Sequence, residues 1–118
     1  MVLMSYKKLH SLDNISNYGV VLENGSDRKW DAGSAGFCCP YIDDNDPSKI
    51  YLFYSGWGKK SLNSKIGLAV STDGFNFEKF EEPILEGNKD DFCSSYAMTP
   101  VVKKIGDYYY MCFAGTSQ

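Results

Sequence analysis

No stretch of this sequence approaches the roughly 20 consecutive apolar residues a membrane-spanning helix needs; runs such as Ile50–Tyr54 are among the longest. Positive charge is also thin. There is one arginine, Arg28, and 12 Lys plus Arg face 15 Asp plus Glu, a formal net charge of -3. Nucleic-acid binding wants clustered basic residues, so that class is set aside. One histidine, His10, and no Cys-x-x-Cys spacing leave little from which to build a zinc site. Apolar residues do not recur at helical spacing over ten or more positions, which excludes an amphipathic helix. No Gly-x-Ser-x-Gly elbow occurs, and Gly56, Gly58 and Gly67 do not fit a phosphate loop. No cofactor is expected.

The apolar start before Lys7 and Lys8 is too short for a secretory signal, so a cytoplasmic location is expected. On that reading the sequons at Asn14 and Asn24 are accidental, and Cys38, Cys39, Cys93 and Cys112 are buried free thiols in a reducing compartment.

What is present is aromatic. Aromatic residues make up 15% of the 118, with nine Tyr and seven Phe, which suits pleated strands better than helices. Hydrophobic residues at 43% and charged ones at 23% describe a globular chain of one domain's length. The expected fold class is all-β.

The sequence also repeats itself. Phe37–Trp57 (FCCPYIDDNDPSKIYLFYSGW) aligns with Tyr96–Thr116 (YAMTPVVKKIGDYYYMCFAGT), Pro40 with Pro100 and Gly56 with Gly115. Upstream, Val21-Leu22-Glu23 matches Ile84-Leu85-Glu86, and Trp30 falls near Phe92. The ordered set marks a repeat of about 60 residues, the first thing to look for in a fold of this kind. Within one copy, Phe37–Ile42 reads as a short strand holding a proline, which cannot donate to a ladder. Asp43–Lys49 is a turn cluster, replaced in the second copy by the tighter Lys104–Asp107. Ile50–Ser55 is continuously apolar and aromatic, implying burial on both faces. Gly58–Ser64 is a polar loop, Ile66–Ser71 a third strand, and Asp73-Gly74 a hairpin turn. Phe75–Phe80 alternates, as a half-exposed outer strand would.

Four-stranded antiparallel units repeated in this way describe β-propeller blades. The chain divides into the outer part of a preceding blade (residues 1–23), one complete blade (24–86) and the first strands of the next (87–118). Closed propellers carry about four to eight blades. About two are expected here, a partial propeller completed by the remaining blades of a longer chain or by homo-oligomer partners.

The runs KIYLFYSGW and KIGLAVSTDGFNFEKFEEPIL, residues 49–57 and 65–85, resemble blades of the five-bladed propellers of the furanosidase superfamily, glycoside hydrolase families 43, 32, 68 and 130. The resemblance implies a carbohydrate ligand and a glycosidic bond handled by carboxylates that converge on an axial pocket. In the hydrolase members an Asp often precedes the proline of the innermost strand. Here those positions hold Cys39 and Thr99, so the carboxylates are expected on other blades, or hydrolysis is lost, or other acids serve.

Among the acids of this chain, Asp31, in the glycine-rich loop DAGSAG, is the candidate catalytic group, with Trp30 beside it to stack on a sugar ring. The alternative is a turn carboxylate with an indole wedged between blades. Trp57, Asp91, Ser95 and Tyr96 are the other substrate-binding candidates, since they end a strand or lie in the loop feeding an innermost strand. Glu23 and Glu86 recur at one repeat position and are read as structural. No metal ligands are expected. The rival readings of function are a non-catalytic carbohydrate-binding module and a self-assembling partial propeller.

Overall fold

The computed structural model describes residues 2–6 and 15–117, with side chains from residue 18 onward, so His10 and Asn14 lie outside the described residues. Every element among them is a strand, and every strand pairing is antiparallel. β1 (Val2–Tyr6) pairs with β2 (Ile15–Val20). β3 (Ser34–Asp43), β4 (Asp46–Trp57), β5 (Lys65–Ser71) and β6 (Glu78–Lys79) form one four-stranded meander in chain order. β7 (Tyr96–Ile105) pairs with β8 (Tyr108–Thr116).

The strands run longer than composition suggests. β3 reaches Asp43 and β4 begins at Asp46, so the hairpin loop is only Asp44-Asn45. The Asp43 carboxylate accepts the Asn45 N–H at 2.9 Å and closes that turn from within. The second copy turns through two residues as well, Gly106-Asp107, with Gly106 at φ 62°. The expected difference in turn tightness is therefore absent. The extra length of the first copy lies in β4, where residues 47–49 bulge between the Asp43–Asp46 and Ile42–Ile50 pairs.

The outer strand shortens instead. Only Glu78 and Lys79 pair with β5, not the whole of Phe75–Phe80. Asp73 Oδ1 accepts the N–H groups of Phe75 and Asn76, both at 2.8 Å, while Ser71 Oγ accepts those of Asp73 and Gly74. These bonds satisfy backbone donors locally, and Asx-type turns of this sort compete with the ladder.

The registers also re-pair the repeat. Ala35 faces Gly56 and Ala97 faces Gly115; beyond the next pair, each inner strand bulges past one aromatic of its partner, Tyr54 or Phe113. Counted from those glycine pairs, Phe37 corresponds to Thr99 and Cys38 to Pro100. The two prolines that aligned by sequence thus occupy different ladder positions. Pro40 faces Leu52, whereas Pro100 lies inside the bulge.

Two apolar clusters hold the sheets. Leu22, Ala35, Leu52, Tyr54 and Ala69 form the first, with Trp30, Cys38 and Phe77 against it. Ile66, Cys93 and Ala97 form the second, with Leu85, Met111 and Phe113. From Ile50 to Ser55 one face of β4 is fully buried, at Leu52 and Tyr54, while Tyr51 and Phe53 on the other are only partly covered, so the expected burial of both faces is met on one. The far face of β7–β8 differs: Val101, Ile105, Tyr108 and Tyr110 all stand exposed on it.

Polar bonds then stitch the meander to β7–β8. Ser64 Oγ donates to the Ala97 carbonyl at 3.0 Å and Ser64 O accepts the Ala97 N–H at 3.0 Å. Ser55 Oγ accepts the Thr99 N–H at 2.8 Å. At the opposite end of the strands, buried Asp43 meets Lys104 Nζ at 3.0 Å and accepts the Tyr109 hydroxyl. The Tyr109 hydrogen bond, then the Asn45 N–H and Lys104, hold the Asp43 carboxyl at about 2, below its ordinary 3.8.

Because the folded value lies below the unfolded one, this contribution is full above about pH 4 and is lost as pH falls toward 2. Asp43→Asn should lower stability at pH 7 and flatten the acid limb between about pH 4 and 2. Denaturant titrations across that range read it, and an unchanged acid limb in the variant would refute the assignment.

Candidate functional site

The starts of β3, β5 and β7 and the ends of β4 and β8 come together at one end of the sheets, as the pairs Ser34–Trp57, Ser64–Tyr96 and Tyr96–Thr116 record. All six candidate residues belong to this end. They do not converge on one point.

Trp30 and Asp31 turn into the blade. The Trp30 indole stacks on Tyr54, centroids 5.6 Å apart and planes inclined by 21°. It lies over strand positions that lack side chains: a Cβ on Gly56 would meet the ring at 2.8 Å, and one on Gly67 at 2.7 Å. Its Nε1–H donates to the Glu81 carbonyl at 3.2 Å. Asp31 follows it inward and is 2% exposed. Asp31 Oδ2 accepts the Tyr54 hydroxyl at 3.1 Å and pairs with Lys79 Nζ at 2.6 Å. Lys79 also donates to the Glu23 carbonyl and sits 5.2 Å from the Tyr54 ring centroid. Burial, then the Asp31 charge, push the Tyr54 hydroxyl far above its ordinary value, so it stays a donor. Lys79 belongs to β6, the strand farthest from β3 in the sheet. The carboxylate therefore faces the outer half of the blade.

The same arrangement recurs in the second copy with other chemistry. Phe92 stacks on Phe113 at 5.8 Å and 28°, and a Cβ on Gly115 would meet Phe92 at 3.1 Å. Cys93 takes the place of Asp31, as Gly87 against Cys93 repeats Gly25 against Asp31. The buried ion pair thus belongs to the first copy alone among the described residues.

A cavity of about 660 Å³ opens beside this network, bounded by Leu22, Lys29, Trp30, Asp31, Phe77 and Lys79. It lies between the segment after β2 and the β6 region, not along β3.

The other candidates sit apart from it. Trp57 is half-buried, its carbonyl accepting the Gly33 N–H at 2.8 Å. Asp91 is exposed and accepts the Asn88 N–H at 2.9 Å, a local loop bond. Ser95 is buried and its N–H donates to the Thr116 carbonyl at 3.0 Å. Tyr96 is half-buried beside Ser64. Ser95 also lines a polar recess of about 450 Å³ with Asn63, Gly87, Lys89 and Ser94. That recess was not anticipated, since Asn63 and Lys89 are distant in sequence and are brought together by the Ser64–Tyr96 and Ile66–Leu85 bridges.

Three of the four thiols are shielded or engaged within the sheets. Burial pushes the Cys38 thiol up to about 11, Cys39 Sγ accepts the Val102 N–H at 3.5 Å, and Cys93 is buried. Cys112, expected to be buried, is exposed, because it stands on the open face of β8 opposite Val101. No group of three or more potential metal ligands occurs among the described residues.

The chain is 42% identical over 80 residues to a β-1,2-mannobiose phosphorylase of Thermoanaerobacter sp. (strain X514), a match covering 58% of this chain and 26% of that protein. That relative is a carbohydrate-active phosphorylase by name, and the chain spans about a quarter of its length. No family model matches the sequence.

Two outcomes follow from the buried network. Asp31→Asn leaves Lys79 without its counter-ion and should cost about 3 kcal/mol, and Asp31→Asn with Lys79→Met should recover part of that loss. Urea melts of the two variants read it; a double variant less stable than Asp31→Asn alone would refute the pairing. Gly67→Ala should cost about 1–3 kcal/mol by overpacking, since its Cβ would lie 2.5 Å from the Tyr54 ring. A neutral Gly67→Ala would show that the indole does not need the shelf.

Proposed function

We propose that this chain is part of a carbohydrate-active β-propeller of the glycoside hydrolase family 130 type, acting on a glycosidic bond by phosphorolysis. The observation that carries the reading is the 42% identity over 80 residues to the mannobiose phosphorylase. The sheet architecture supports it: a four-stranded meander between pieces of two other sheets, with an exposed apolar face on β7–β8 that another blade or copy would cover.

In phosphorolysis an oxygen of inorganic phosphate bonds to the anomeric carbon as the glycosidic C–O bond breaks. A carboxylic acid passes its proton to the departing sugar oxygen. The polar recess around Asn63, Lys89, Ser94 and Ser95 suits sugar hydroxyls or a phosphate oxygen, and Trp57 and Tyr96 flank that end of the sheets. On this reading Asp31 is a counter-ion inside the blade and the acid comes from another blade. The competing assignment makes Asp31 itself the acid, which requires Lys79 to release it. A second reading, a carbohydrate-binding module without turnover, is favoured by the absence of a carboxylate before Pro40 and Pro100.

The test incubates the full protein with β-1,2-linked mannobiose, with and without inorganic phosphate. Phosphate-dependent release of mannose and mannose 1-phosphate is the expected result. Binding without any release would favour the module, and absence of both would overturn the carbohydrate reading. Asp31→Asn should keep turnover per folded molecule within roughly twofold, whereas a loss of about a hundredfold or more would make Asp31 the acid.

A further inference from the structure

Among the described residues, two that are not glycine adopt left-handed backbone, Phe37 at φ 47° and Thr99 at φ 53°. They occupy the same place in the two copies. Each lies in the bulge of its inner strand, opposite Tyr54 in one copy and Phe113 in the other. A bulge that needs this conformation is met most cheaply by glycine. Any side chain there costs conformational energy and persists where the surroundings or the function require it.

Thr99 has a local return for that cost. Its N–H donates to Ser55 Oγ at 2.8 Å, and its hydroxyl donates to the Met98 carbonyl at 2.7 Å. Phe37 has no such return. Its side chain is 60% exposed, it joins neither apolar cluster, and it pairs with no other ring among the described residues. β3 pairs with β4 alone, so Phe37 stands at the open inner edge of the meander. Among the described residues nothing packs on this ring in return for its backbone strain.

We infer that Phe37 is a carbohydrate-contacting residue, its exposed ring receiving the C–H face of a pyranose unit at the inner edge of β3. The inference rests on the carbohydrate reading above and adds the residue that holds the sugar. Trp30, the aromatic that composition favoured, is already committed to its glycine shelf. An aromatic face fits a sugar because the ring is apolar with a negative face, while the axial C–H groups of a pyranose are apolar and slightly positive.

The test compares the full protein with Phe37→Gly and Phe37→Tyr, by thermal melting and by calorimetric titration with β-1,2-linked mannobiose. Phe37→Gly should raise the melting midpoint by roughly 2–6 °C, since it relieves the left-handed strain. The same variant should bind the disaccharide about tenfold more weakly. Phe37→Tyr keeps the ring and should bind within about twofold of the unaltered protein. A lowered midpoint in Phe37→Gly would mean the ring packs on protein and would overturn the assignment. Binding by the unaltered protein with equal binding by Phe37→Gly would overturn it while leaving the carbohydrate reading intact. No binding by the unaltered protein would end both.

Discussion

An indole laid on a strand pair stripped of side chains organises this blade. Trp30 can lie flat on Tyr54 because Gly56 and Gly67 present bare backbone beneath it, and no other residue type would leave that room. Once the ring is seated, the next residue must turn inward, and that residue is Asp31. A carboxylate in that position is costly unless it is paired and hydrogen-bonded. Lys79 and Tyr54 supply both requirements, and Lys79 draws the short outer strand and the Glu23 carbonyl into the same cluster. One packing contact thus fixes the feeder loop, the second strand and the outermost strand together.

The second copy shows which parts of this arrangement are general. Phe92 on Phe113 over Gly115 repeats the stack, and Cys93 replaces the acid with a small apolar group. The aromatic-on-glycine contact is therefore the repeating unit, and the ion pair is a local elaboration. An acid that appears once in two copies invites a functional reading. Its partners, however, are Tyr54 on the second strand and Lys79 on the outer strand, neither of them on the inner strand.

Contact between the sheets combines the apolar cluster of Ile66, Ala97 and Phe113 with a set of polar bonds. Ser55, Ser64, Cys39 and Asp43 each reach across to β7 or β8, and two of the four bonds satisfy backbone N–H groups of the bulged strand. Side chains as short as serine can do this because the inner strands approach closely where the bulges lie. The bulges in turn expose Phe37 and Thr99. Strain, blade contact and the exposed ring are consequences of the same local irregularity.

The sequence alone determined the all-β class, the two copies and the outline of most strands, because period-two and continuous apolar patterns with Gly, Asp and Asn turns depend only on near neighbours. It also paired Trp30 with Phe92, since each falls between a matched apolar-Leu-Glu run and the proline-bearing strand that follows. It misaligned Pro40 and Pro100, because the three extra residues 47–49 of the first copy change the offset between the copies and composition does not show where they lie. It overextended the outer strand, because the Asp73 side chain competes for backbone donors that pattern reasoning assigns to the ladder. Only the tertiary structure decided where Asp31 points, since its partner Lys79 is 48 residues away and nothing in the local pattern names it. The same holds for Phe37: exposure and a left-handed backbone are properties of strands meeting in space, and a short apolar strand conceals both.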